Sequence, residues 1–183
     1  MSTKTEATVD DLYRVPENGK AEIVNGELVL MSPTGGVPGL AAGNIFISLH
    51  EYKRRVGGGY AFPDNVGFIV NLPHRRSFSP DAAFFKGALR GGKFLEGAPI
   101  FAVEVRSEDD YGPAAEVAMA TKRADYFAAG TLVVWDVDVL REKVIRVFRA
   151  SQPNQPVTYV AGDTAEAEPA LPGWTMAVDS LFD

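Results

Sequence analysis

Three patterns in the 183-residue chain predict a mixed α/β fold. Ala21-Glu-Ile-Val24 and Glu27-Leu-Val-Leu-Met31 flank Asn25-Gly26. An Asn-Gly pair between two apolar runs predicts a tight β-hairpin, because both residues tolerate positive φ. From Val37 to Arg55 the pattern turns helical, with Leu40, Asn44, Ile47, Leu49 and Tyr52 recurring at roughly helical spacing. Finally, an apolar strand over 100–106, a helix led by Pro113 and a strand over 132–136 predict a helix crossing between two strands of a sheet.

In chain order, Asp10 to Arg14 predicts a short opening helix ended by Pro16 and Gly19. The hairpin follows and is broken off by Ser32-Pro-Thr-Gly-Gly36. The long helix carries Lys53-Arg-Arg55 at its C-terminal end, where unsatisfied carbonyls favour positive charge, and Gly57-Gly-Gly59 stops it. Strands are expected over 60–62 and 66–70, then a loop containing His74, Arg75 and Arg76, then an interior strand from Ala82 to Phe85. Residues 87–99 read as a loop with at most a helical turn. Alternation along 100–106 puts Ala102, Glu104 and Arg106 on one face, and Phe101, Val103 and Val105 on the other. Pro113 suits the first turn of a helix running through Ala128, with Gly130 as its stop. Strands over 143–148 and 157–160, an acidic linker over 163–173 and a last strand from Trp174 to Val178 complete the chain.

The length predicts one domain spanning 1–183 with a proper hydrophobic core. A hydrophobic share of 46% and a charged share of 23% are ordinary for a soluble globular protein. With no cysteine, disulfides, thiolate metal ligands and thiol nucleophiles are excluded. The polar start predicts no signal peptide. No apolar run approaches the ~20 residues that span a bilayer, so no membrane partner and a cytoplasmic location are expected. The net charge of −6 argues mildly against a polyanion partner, but its distribution is uneven. Residues 51–93 carry eight Lys or Arg against three Asp or Glu, and residues 151–183 carry five acids and no base. A phosphate meets the local field, so the basic middle could face nucleic acid or simply water.

Two tempting signals fail. Gly87-Ala-Leu-Arg-Gly-Gly-Lys93 matches the start of a phosphate-binding P-loop, but Phe94 replaces the hydroxyl residue that would ligate magnesium. Gly97 and Pro99 leave no room for the helix that should follow. His50 and His74, the only histidines, are too few for a multi-histidine zinc site. No serine stands in a Gly-x-Ser-x-Gly elbow. Trp135 and the other aromatics follow strand and helix periods and read as core.

The chemistry concentrates in carboxylates at strand positions. Glu104 interrupts an apolar strand, and a buried charge needs a cation, a metal or a proton. Asp81 follows Ser79-Pro80 at the mouth of another apolar run. Lys122 and Tyr126, four apart, share a helix face. Asp81 and Glu104 could bind Mg²⁺ with the Val105 carbonyl as a third oxygen, since this hard ion needs only one or two carboxylates from the protein. Such a metal would polarise a phosphodiester and acidify water, with a lysine to orient that water or stabilise charge. Equally, Glu104 could be salt-bridged to Arg106, and Asp81 could be a turn residue after its proline.

Ser79-Pro-Asp81, the strand Phe101-Ala-Val-Glu-Val105 ending in Ser107, and Lys122 to Tyr126 with Gly130, Trp135 and Asp138 together resemble the Uma-two family of restriction-endonuclease-like proteins within the PD-(D/E)xK nuclease superfamily. Glu22 to Pro33 resembles the opening hairpin of that family, so the resemblance covers roughly residues 15–150, leaving 151–183 as a C-terminal strand extension. It implies a mixed central sheet flanked by helices and a Mg²⁺- or Mn²⁺-dependent endonuclease acting on DNA, commonly as a homodimer. Asp81 and Glu104 match the metal-binding acids, and Glu22 matches an acid at the edge of the site. The superfamily places a lysine two residues after the Glu, where this chain has Arg106. In this family the lysine is thought to have moved to the following helix, which selects Lys122. A histidine frequent after the Ser-Pro-x-Gly segment is absent, since the chain there reads Gly36-Val-Pro-Gly39. Arg54, Arg55, Arg75 and Arg76 are candidates for the phosphate backbone, or for a solvated face. A catalytically silent binding module on the same fold, and a hydrolase of small phosphate esters, are the alternative readings.

Overall fold

The computed structural model describes residues 6–15 and 19–183. Helix α1 (Val9–Tyr13) is opened by a capping box in which the Thr8 N–H and hydroxyl both donate to Asp11 Oδ2 at 2.7 Å. Its expected terminator Pro16 lies outside the described residues. Strands β1 (Lys20–Val24) and β2 (Glu27–Met31) form the predicted hairpin, with Val24 opposite Glu27 and φ of 50° and 71° at Asn25 and Gly26. Helix α2 (Gly36–Val56) ends at Gly57, whose φ of 75° suits glycine.

The strands that follow are β3 (Tyr60–Phe62), β4 (Phe68–Ile69), β5 (Ser77–Phe78), β6 (Ala82–Phe85), β7 (Leu95–Glu96) and β8 (Phe101–Val105). Helix α3 (Pro113–Ala128) crosses to β9 (Val133–Asp138). Strands β10 (Val144–Arg149), β11 (Gln152–Tyr159), β12 (Thr164–Glu166) and β13 (Thr175–Ala177) lead to a 3₁₀ helix over Val178–Phe182.

The central sheet is mixed, in the order β11-β10-β9-β8-β6-β3. Its β8–β9 pair is parallel, as the α3 crossover requires, and its other pairs are antiparallel. Apolar side chains cover both faces. Phe101, Val103 and Val105 pack with Ala41, Ala42, Ile45, Leu49 and Tyr52 of α2, and with Trp135 and Trp174. Ala102 and Val134 face the opposite way, into a cluster with Phe68, Phe78, Phe85 and Tyr126. Strand alternation therefore aims Glu104 and Asp136 toward α3.

Several boundaries differ from expectation for identifiable reasons. Helix α2 buries Ala41, Ala42 and Ile45, whereas Leu40 and Ile47 are 47% and 55% exposed. The small alanines let the helix lie close to the sheet, so the docking stripe is rotated from the one the large side chains suggested. The strand expected over 66–70 shrinks to Phe68–Ile69 and joins a separate three-stranded sheet, β5-β4-β7. Strand β7 falls in the expected loop 87–99, where no helix follows the glycine run. Strand β11 starts earlier than expected and carries Pro153 and Pro156. It is an exposed edge strand, where a missing N–H costs no ladder bond. The expected linker 163–173 contains β12, which pairs with β13, and Ala165, Ala167 and Leu171 join the α2 core.

Gly59, between α2 and β3, lies close against β6, the strand that pairs with β3. A Cβ there would stand 2.4 Å from Phe84 Cε1 and 2.8 Å from the Phe85 carbonyl oxygen. Gly59→Ala is expected to destabilise the protein by about 1–3 kcal/mol, because a backbone oxygen cannot rotate away. Chemical denaturation checks this, and an unchanged midpoint would rule out the close approach.

Candidate active site

Strand β1, the segment entering β6, strand β8 and helix α3 converge on one cavity of about 460 Å³, whose lining includes Lys20, Glu22, Asp81, Glu104 and Lys122. Strand β1 supplies Lys20 and Glu22, which alternation puts on the same side. Asp81 precedes β6, and its position is set twice. Its N–H donates to the Val103 carbonyl at 2.9 Å, and its Oδ2 accepts the Val105 N–H at 2.7 Å. Pro80 helps by restricting Ser79 to extended backbone. Glu104 comes from β8 itself.

Helix α3 grips Glu104 with two side chains one turn apart. Lys122 Nζ donates to Glu104 Oε2 at 2.8 Å, and the Tyr126 hydroxyl donates to Oε1 at 2.6 Å. Tyr126 is fully buried, stacked on Phe78 with ring centroids 4.0 Å apart. Burial and the neighbouring carboxylates push its phenol well above the usual range, so it remains a donor. Lys122 also lies 3.0 Å from Glu22 Oε1. Burial disfavours its charge, but Glu104 and Glu22 outweigh burial and raise its pKa, so Lys122 is a fixed cation rather than a proton acceptor.

Glu104 has the opposite balance. Burial pushes its carboxyl up to about 7; Lys122 opposes that, while the negative charges of Asp81 and Glu22 reinforce it. Glu22 is also buried, yet Lys122, Arg75 and the Ser79 N–H hold its carboxyl below the usual range. The Ser79 N–H donates to Glu22 Oε1 at 2.9 Å, and Arg75 donates to Oε2 at 2.6 Å.

Two arginines close to this site in the chain, Arg106 and Arg75, are buried in ion pairs. Arg106 pairs with Asp136 rather than Glu104, through Nε at 2.7 Å and a second nitrogen at 2.8 Å, and it also grips Glu116 on α3. The salt bridge of Glu104 is therefore made by Lys122. Arg75 is 5% exposed, with its guanidinium between Glu22 and Asp125. Its Nε and one terminal nitrogen are thus committed to carboxylates, while the residue still lines the cavity. His74 completes the chain, its Nε2 lying 2.6 Å from Asp125 Oδ1. Arg54, Arg55 and Arg76 are exposed. Arg54 and Arg55 end a 21-residue helix that begins two residues after the cavity-lining Thr34. At 1.5 Å per residue they stand on the order of 30 Å along the helix from that rim.

Sequence reasoning missed Lys20, which lines the cavity, and Asp64, which is tied to it through Lys20. Lys20 Nζ lies 2.7 Å from Asp81 Oδ1 and 2.7 Å from Asp64 Oδ1. The alternation Lys20, Glu22 was a usable signal for Lys20, whereas nothing local marks Asp64, which meets the site only through the fold.

The donor set fits a hard divalent cation. Asp81, Glu104 and Glu22 offer oxygen donors only, the donor type such an ion takes. Among the described residues no three His, Asp or Glu side chains form a ready-made ligand set. Two carboxylates and a carbonyl suffice when the remaining positions are water or substrate oxygen.

Among the described residues, no helix is long and apolar enough to cross a membrane. No curated protein matches the chain. A solved structure described as a "putative nuclease belonging to DUF820", from Anabaena variabilis ATCC 29413, matches with a TM-score of 0.75 and 16% identity over 96% of this chain and 97% of that one, showing a shared fold. The profile of the Uma2 (Uma-two) family, described as "Putative restriction endonuclease", matches residues 9–179, and with nearly the whole chain so covered, the chain belongs to that family.

Proposed function

We propose that this protein is a divalent-metal-dependent endonuclease that hydrolyses phosphodiester bonds of DNA in the cavity between the hairpin, β8 and α3. The observation that carries this reading is the combination of Asp81, at the entry to β6, and Glu104, on the neighbouring β8, with a lysine held charged between Glu104 and Glu22. Asp81, Glu104 and the Val105 carbonyl are the groups that would hold Mg²⁺ or Mn²⁺. Such an ion supplies Lewis-acid polarisation of a phosphoryl oxygen and a more acidic water. The chain's own residues do the positioning. Lys122 donates to the attacking water or the phosphate and stabilises developing negative charge. Glu22 and Tyr126 keep Lys122 and Glu104 in place. Arg76, and Arg54 and Arg55 farther away, can meet the phosphate backbone of a long duplex. Cutting both strands calls for two such sites, so a homodimer working in the cytoplasm belongs to this reading.

One observation favours a catalytically silent module instead. Every carboxylate oxygen of Glu22, Asp81 and Glu104 already has a protein partner. Plasmid cleavage with Mg²⁺ or Mn²⁺ separates the two readings. Asp81→Ala and Lys122→Ala are each expected to lower the cleavage rate by about 10²–10³-fold or more. Cleavage unchanged by both substitutions would remove the assignment, and absence of cleavage by the unsubstituted protein would favour the silent module.

A further inference from the structure

We propose that Lys20 is a displaceable counter-ion of the site, neutralising Asp81 until a divalent cation enters and then staying on the more exposed Asp64. This rests on the metal-dependent reading above. Lys20 Nζ bridges Asp81 Oδ1 and Asp64 Oδ1, both at 2.7 Å. Its two partners differ in depth, with side-chain exposures of 10% for Asp81 and 36% for Asp64. Asp64 is itself anchored, accepting the Asn65 N–H at 2.6 Å and the Thr34 hydroxyl at 3.3 Å.

Lys122 offers no comparable way out, because both carboxylates it pairs with, Glu22 and Glu104, belong to the site. Lys20 alone of this pair has a partner on the solvent side. A divalent cation on Asp81 would share Oδ1 with an ammonium, and like charges that close repel strongly away from bulk water. Releasing Asp81 while keeping Asp64 removes the repulsion without leaving Lys20 unpaired. The exchange balances in charge, since Asp64 continues to neutralise Lys20 while the incoming ion takes the Asp81 charge. Full pairing of the carboxylates is then the resting state of a metal site.

The test is Mn²⁺ binding, measured by calorimetry and by the electron paramagnetic resonance signal of free Mn²⁺, on the full chain and the variants Lys20→Met, Asp64→Asn and the double variant. Lys20→Met should tighten Mn²⁺ binding about tenfold by removing the competitor. Asp64→Asn should weaken it about threefold, because Lys20 then has only Asp81 to hold. In the double variant the Asp64 effect should vanish, since Asp64 acts through Lys20. If the unsubstituted protein binds Mn²⁺ and Lys20→Met binds it equally or more weakly, the counter-ion proposal is overturned while the metal reading survives. If no variant binds Mn²⁺, both are overturned. Should Lys20→Met fail to fold, Asp64→Asn decides, an unchanged affinity counting against the proposal.

Discussion

Glu104→Gln is expected to abolish cleavage and yet to stabilise the metal-free protein above neutral pH. The first effect follows from removing one of the two carboxylates proposed to hold the metal, worth about three orders of magnitude in rate if several kcal/mol of transition-state stabilisation go with it. The second follows from the raised carboxyl pKa. In the unfolded chain this group titrates near 4.5, and in the folded protein near 7. Below the lower value it is protonated in both states. Between the two the folded state binds more protons, so stability falls as pH rises, and the loss is complete above about pH 7. At about 1.4 kcal/mol per unit, discounted because the side chain retains some contact with water, the loss is on the order of 2 kcal/mol. Glutamine escapes it, its one carbonyl oxygen still accepting from Lys122 while its NH2 donates to the Tyr126 hydroxyl, which turns from donor to acceptor. Thermal melts in chelator at pH 5 and pH 8 check this. The unsubstituted protein should lose stability across the interval, and Glu104→Gln should lose less. Added Mg²⁺ should narrow the gap at pH 8 by binding the ionised carboxylate. A variant less stable than the parent at pH 8 would mean that the Lys122 ion pair outweighs burial.

Arg106→Met is expected to cost about 3–5 kcal/mol of stability, because it strands a buried carboxylate. Asp136 is 1% exposed, and without Arg106 it retains Arg123 at only 3.4 Å. For a protein of this size the melting temperature should fall by roughly 10 °C. Arg106→Lys should recover only part of the loss, since one ammonium cannot reproduce a fork shared between Asp136 and Glu116. At a temperature where Arg106→Met remains folded, cleavage should persist near the parental rate. Lost cleavage at an unchanged melting temperature would instead make Arg106 the working cation and Lys122 an accessory. The two arginines thus share a role with each other rather than with Lys122. Arg75 ties the hairpin to α3 through Glu22 and Asp125, and Arg106 ties β8 to β9 and α3 through Asp136 and Glu116.

What could be read from residues alone was whatever depends on local periodicity and backbone freedom. Asn25-Gly26 specified the hairpin because both residues sit at positive φ. Pro113 and Gly130 bracketed α3, and alternation put Glu104 on the face of Ala102. Combined with the family resemblance, that was enough to nominate Asp81, Glu104, Glu22 and Lys122, which the fold brings to one cavity. Periodicity could not say which partner a charge would meet. Arg106, two residues from Glu104, turned to Asp136 across the parallel strand pair, while Lys122, a loop and two helical turns away, reached Glu104. Arg75 looked like a surface cation until Glu22 and Asp125 closed around it. Lys20 joined the site because β1 lies beside the 77–81 segment, a contact between residues more than fifty positions apart. Secondary structure is a short-range property of the chain, whereas an ion pair in a low-dielectric interior is chosen by whichever opposite charge the packing delivers.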